Sequence, residues 1–187
     1  MRLVHWTPDD LVRRIDDVLA VYGEAMHYPV EMVHGRRGYV SSHVNRFGFR
    51  AVATVDDAGA LLGFGYGYRS APGQWWHDQV RAGLSRSDRK AWLSDCFELV
   101  ELHVRPAVQG NGLGARQLVA LLTNAPAATV LLSTPEADEQ RSRAWRLYRR
   151  HGFRDVLRQF VFPGDERPFA VLGRALPLDP PAPPTAD

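Results

Sequence analysis

Four side chains of this sequence are equipped to move protons. Glu98, Glu101 and His103 lie within one apolar run, Phe97 to Val104, and Tyr148 follows further along the chain. Carboxylates and imidazoles are the usual side-chain acids and bases. A phenol, with a pKa near 10, suits proton donation better than base chemistry at neutral pH. The odd spacing of Glu98 and Glu101 sets them on opposite faces of a regular strand. A bulge, common beside active sites, would upset that alternation. Both glutamates also have a plain structural reading as partners of arginines at a sheet surface, and His103 has one as a packed strand residue. Cys96, the only cysteine, sits in an apolar context that suits a buried thiol.

Directly after the run comes Gln109-Gly110-Asn111-Gly112-Leu113-Gly114-Ala115. The apolar run before it reads as a strand, and Gln117 to Leu122 after it reads as a helix of strong helix formers. The glycines therefore occupy a turn that leaves a strand and opens a helix. Glycine there permits positive φ and lets a ligand approach without a Cβ in the way. The first N–H groups of the helix lack internal partners and face the positive end of its dipole. Such a turn cradles a phosphate or pyrophosphate.

The remaining elements must position these groups. Arg2 to Trp6 is β-like, and Thr7-Pro8-Asp9-Asp10 reads as a capped start of a helix over 8–26, with Leu11, Ile15, Val18, Leu19 and Tyr22 on one face. A second helix is expected over 30–44, weakened by Gly35 and Gly38. Residues 48–55 and 60–68 form a hairpin around Asp56-Asp57-Ala58-Gly59. Its second arm alternates glycine with aromatics, leaving one face bare for a ligand or a packed neighbour. An insert over 70–96 carries Trp75, Trp76 and His77 and two short helices. Strand 128–133, helix 138–151 closed by Gly152, and strands 153–162 and 169–176 complete the order. The Pro-rich 177–187 reads as a tail without a core. The fold class is mixed α/β (α+β), with one domain over 1–176.

Composition narrows the function classes. The 187 residues, 45% hydrophobic and 24% charged, describe an ordinary globular protein. A net charge of +2 argues against a nucleic-acid partner. No apolar run is long enough for a membrane span, and the N-terminus lacks the apolar core of a signal peptide. A single cysteine fits a reducing cytoplasm.

The glycine turn has two parsings. Gly110-x-Gly112-x-x-Ala115, with Glu136 downstream, matches a dinucleotide fingerprint. That fingerprint belongs early in a βαβαβ series, whereas this loop comes late. Gln109-x-x-Gly112-x-Gly114, preceded by Val104-Arg105-Pro106, resembles the acyl-CoA loop of the GNAT N-acyltransferases. Ala144-Trp145-Arg146-Leu147-Tyr148-Arg149-Arg150-His151-Gly152-Phe153 resembles the second signature of that family. Over residues 1–176 the element order is similar to an actinobacterial-type member.

The resemblance implies a mixed sheet of about six or seven strands, about four flanking helices and splayed central strands. It implies a cytoplasmic acetyl-CoA-dependent N-acetyltransferase, without a metal, acting on a primary amine of a small molecule or an exposed protein amino group. Coenzyme A would be held by Leu102, His103 and Val104 along the strand and by Gln109 to Ala115 in the loop. Arg141 stands where many members carry asparagine, and would serve the phosphates. Tyr148 would be the general acid, with Glu98, Glu101, His103 or a water as the base. Trp75, Trp76 and His77 would border the acceptor, as could His27, Tyr28 and His34, and late strands could pair in a homodimer. The alternatives are a non-catalytic acyl-CoA-binding module and, on the other parsing, a dinucleotide-binding oxidoreductase.

Overall fold

The computed structural model describes residues 1–178. The expected tail over 177–187 lies, from residue 179 on, outside the described residues. Seven strands form one sheet in the order β1-β2-β3-β4-β5-β7-β6. They are β1 (Arg2–Trp6), β2 (Arg50–Val55), β3 (Leu61–Arg69), β4 (Cys96–Val104), β5 (Thr129–Pro135), β6 (Arg154–Val161) and β7 (Pro168–Ala175). Every neighbouring pair is antiparallel except β4–β5. A single parallel pair is not the doubly wound sheet that a dinucleotide site requires, so that alternative falls.

The first helical segment is less continuous than its periodicity predicts. Thr7 caps it through a reciprocal box with Asp10, as the sequence signals, but Arg14 breaks it into α1 (Pro8–Arg13) and α2 (Ile15–Met26). The expected helix over 30–44 is likewise two pieces, α3 (Val30–His34) and α4 (Arg37–His43), parted at Gly35 and Arg36. The insert holds α5 (Trp75–Gly83) and α6 (Arg86–Leu93). Then come α7 (Leu113–Leu122) and α8 (Arg143–Arg150). The last helix starts later than the predicted 138. Asp138 Oδ1 accepts from the Gln140 N–H (2.8 Å), holding a turn, and Ser142 then caps α8. Short polar side chains divert the backbone from the helix in this way.

These helices cover both faces of the sheet. Leu11, Val18 and Val21 of α1–α2 and Val40 of α4 pack on Ala53, Phe64 and Tyr66. Trp76 and Val80 of α5 and Trp92 of α6 pack on Leu131 and Val171. Against the opposite face lie Leu118 and Leu121 of α7 and Trp145 of α8, on Phe97, Val130 and Leu132. Strand alternation, Val130 and Leu132 one way and Leu131 the other, separates the layers.

One irregularity matters for the site. Tyr66 faces Glu101 and Tyr68 faces Glu98, but the single residue between the tyrosines, Gly67, faces Leu99. Val100 is therefore an extra residue in β4, a bulge. Gly67 allows the close approach: a Cβ there would stand 2.2 Å from the Glu98 carbonyl oxygen and 2.5 Å from the Phe97 ring. The bare face of β3 thus receives packed neighbours. Gly67→Ala is expected to cost about 3 kcal/mol in denaturant unfolding, because backbone must move. Gly38→Ala, whose Cβ would meet nothing within 4 Å, is the control and should be neutral or slightly stabilising. Equal effects at the two positions would contradict the close packing.

Candidate functional site

Strands β4 and β5 pair only over Cys96–Glu98 and Thr129–Leu131. Both run on, to Val104 and Pro135, without each other. The side of β4 facing that gap is left without a strand partner beyond Glu98. A cavity of about 470 Å³ opens there, and a second of about 310 Å³ lies beside the glycine loop. They share Leu102, Val104, Gln109, Ala144 and Tyr148 as walls. The two form one trench, with Tyr148 at the junction.

The loop end of the trench suits an anion. Gly110 and Gly112 have φ of +87° and +74°, and a Cβ at either would point into open space. Gly112 begins α7 without a side-chain cap, so the first-turn N–H groups remain open to a ligand. Gln109 locks the loop: its Nε2 donates to the Val104 carbonyl (2.9 Å) and its Oε1 accepts from Arg143 (2.8 Å). Asn111 braces it too, donating to the Val108 carbonyl at 3.2 Å. Gly114, Leu113 and Ala115 line the cavity, and so do Arg143, Arg146 and Arg150. Arg141, expected near the phosphates, lines neither cavity. The three arginines on α8 escaped the sequence reading, although their i, i+3, i+7 spacing marks one helix face.

At the other end the bulge gathers the acid–base groups. Glu98, Glu101 and His103 all line the larger cavity, so the opposite faces expected of the two glutamates do not occur. Their environments differ sharply. Glu101 accepts from Arg36 Nη2 at 2.6 Å and lies 2.6 Å from His103 Nε2. Burial pushes its pKa up, but the His103 and Arg36 interactions outweigh burial and hold it below the usual carboxylate range. Arg36, at the break between α3 and α4, stacks on Tyr22 (4.5 Å) and Tyr39 (5.1 Å). Glu98 is only 2% exposed. Its Oε1 is 3.5 Å from the Tyr68 hydroxyl, and its Oε2 has no partner among the described residues. Burial pushes its pKa up to about 8, with the Arg46 charge opposing.

Tyr148 is buried at the trench junction, and its hydroxyl has no hydrogen-bond partner among the described residues. Burial first, and the Glu101 charge second, push its pKa upward, so it stays protonated. Trp75 and Trp76 line the larger cavity. Trp76 Nε1 donates to Ser133 Oγ (3.1 Å), and Trp75 is half-exposed against Phe162. His77 does not join them: it is buried beside Ser70 Oγ (3.0 Å) and lines neither cavity. Of the residues near the second helix, Tyr28 reaches the cavity, whereas His27 and His34 do not. Cys96 is wholly buried, and burial pushes its thiol up to about 12, which leaves it unreactive.

Residues 26–153 match the family model described as the acetyltransferase (GNAT) family. The chain belongs to the GNAT acetyltransferase family. It is an acyltransferase, and is 43% identical to a GCN5-like protein acetyltransferase of Mycobacterium tuberculosis, over 94% of this chain and 98% of that one. Among solved structures, the ribosomal-protein-alanine N-acetyltransferase of Brucella melitensis shares the GNAT fold with a TM-score of 0.62. The two are 17% identical, over 94% of this chain and 100% of that one. An aminoglycoside 6′-N-acetyltransferase complexed with coenzyme A has a TM-score of 0.63 and 16% identity, over 95% and 98%. No helix among the described residues of this GNAT protein is long and apolar enough to cross a membrane.

Burial of an ionisable Glu98 carries a stability signature. Its folded pKa, about 8, lies above the ordinary 4.5, so the fold favours the neutral acid. Stability is therefore full below about pH 4.5 and falls as pH rises through 8, by on the order of 5 kcal/mol for this group alone. Glu98→Gln should unfold later than wild type at pH 9, with the gap closing near pH 5, in thermal scans at both pH values. A gap that does not change with pH would contradict the burial of an ionisable acid.

Proposed function

We propose that this acyltransferase moves an acetyl group from acetyl-CoA to a primary amine, on a small molecule or exposed on a protein, through one domain spanning residues 1–176. The observation that carries the reading is the division between two carboxylates on one cavity wall. Glu101 is ionised and saturated, while Glu98 is poised near neutrality with an oxygen to spare. Environments that drive paired carboxylates apart are how a site assigns acid–base roles. The mycobacterial relative, named a protein acetyltransferase, favours an exposed protein amino group over a free small molecule.

Coenzyme A suits the donors of the trench, and in its acetylated form it would supply the acetyl thioester. The open N–H groups after Gly112, with Arg143, Arg146 and Arg150, would hold its phosphates. Backbone groups of Leu102 to Val104, on the side of β4 that β5 leaves unpaired, would hold the pantetheine arm. Glu98 would take a proton from the acceptor ammonium at its unpartnered Oε2. Tyr148, kept protonated, would give its hydroxyl proton to the departing sulfur. Glu101 would act as a fixed charge that orders Arg36 and His103 rather than as the base.

The test is acetyl-CoA turnover on lysine peptides and simple amines, followed through released thiol. Activity in kcat/KM should rise with pH through about 8, where Glu98 ionises. Glu98→Gln should lose about 10²–10⁴-fold and flatten that limb, and Tyr148→Phe about 10²-fold. Tight acetyl-CoA binding without turnover on any amine would instead mean a non-catalytic acyl-CoA module.

A further inference from the structure

We propose that Tyr68 is the positioning residue of Glu98: its hydroxyl holds one carboxyl oxygen and leaves the other for the acceptor. The inference rests on the acyltransferase reading above and names what orients its base. Tyr68 stands opposite Glu98 across β3 and β4, as Tyr66 stands opposite Glu101. Directly opposed residues present their side chains on one face. The Tyr68 hydroxyl reaches Glu98 Oε1 at 3.5 Å, while Oε2 has no partner among the described residues. That contact is at the long limit of a hydrogen bond. It becomes charge-assisted when Glu98 ionises, so it favours the base form over the neutral acid.

The phenol is held in place by its surroundings. Tyr68 is buried, its ring edge-on to His43 with centroids 5.0 Å apart and the Arg46 guanidinium 5.7 Å from its centre. Burial pushes its pKa upward, so the hydroxyl remains a donor. Tyr66, two positions away on the same strand, has another partner: its hydroxyl lies 3.1 Å from His43 Nδ1. The other groups packed around Glu98 do not imitate Tyr68. Arg46, in the connection from α4 to β2, acts on Glu98 through its charge. Burial pushes His43 on α4 down to about 4, and Tyr39 on the same helix and Cys96 on β4 up to about 12. On the cavity wall, Glu101 is taken by Arg36 and His103, and the Tyr148 hydroxyl stays protonated.

The experiment compares the full chain with Tyr68→Phe and Tyr66→Phe, each of which loses one buried hydroxyl from β3. The Glu98 carboxyl carbon, followed by 13C NMR, should titrate about 0.5–1 pH unit higher in Tyr68→Phe than in wild type. In Tyr66→Phe it should not move. The kcat/KM limb for a lysine peptide at saturating acetyl-CoA should rise with it, kcat at pH 7 falling by about three- to tenfold while KM changes little. An equal shift in both variants, or none in Tyr68→Phe, overturns the proposal. If Tyr68→Phe does not fold, the Tyr68 ring carbon bearing the hydroxyl is read in the wild-type chain. That resonance should follow the Glu98 titration, and an unmoved resonance overturns the proposal. The expected shift at Glu98, beside a kcat/KM profile indifferent to it, would count against Glu98 as the base and leave its positioning by Tyr68 standing.

Discussion

The extra residue at Val100 in β4 turns Glu98 and Glu101 toward one cavity, and the chemistry of the trench depends on that turn. Without it the 98/101 spacing would place the two glutamates on opposite faces of the sheet. With it, Tyr66 and Tyr68 on β3 look across at both carboxylates. Gly67 makes the bulge tolerable, because the β4 backbone lies where its Cβ would be. Just past Glu98, β5 parts from β4, and the gap becomes the trench. A local register shift and a lost strand pairing thus create the acid–base cluster and the channel that leads to it.

The cluster holds two buried carboxylates that are unequally compensated. Arg36 and His103 compensate Glu101 with charge and hydrogen bonds, so the fold can carry its charge. Glu98 lacks such compensation, and its burial instead holds it near neutrality. That arrangement costs stability at high pH and, in the proposed reaction, would give a base whose strength suits an amine acceptor. Arg36 supplies the compensation of Glu101 from the wall of the same cavity.

The parts legible in the sequence were those fixed locally. The glycine loop, the Thr7 cap and the Ala144–Phe153 signature each depend on neighbours within a few residues, and the structure has each in its expected element. The mixed sheet with its splayed central strands followed from the family resemblance. What the sequence hid depends on contacts distant in the chain. The bulge is a matter of register between β3 and β4, and Arg36 reaches Glu101 across 65 positions. Arg141 drew attention through its place in a motif, while the cavity is lined by Arg143, Arg146 and Arg150 on the helix that follows. Their spacing was a usable signal. His77, beside two tryptophans in sequence, points instead to Ser70 in the core, which adjacency alone could not reveal.

The opposite protonation of two carboxylates on one wall at neutral pH is the feature on which the chemistry of the trench turns. It is tested most directly by following the side-chain carboxyl carbons of 13C-labelled glutamate by NMR from pH 4 to 10, with Glu98→Gln and Glu101→Gln used for assignment. The Glu98 resonance should titrate near pH 8, while that of Glu101 should titrate below the usual carboxylate range. Titration of both glutamates together in the ordinary carboxylate range would contradict it.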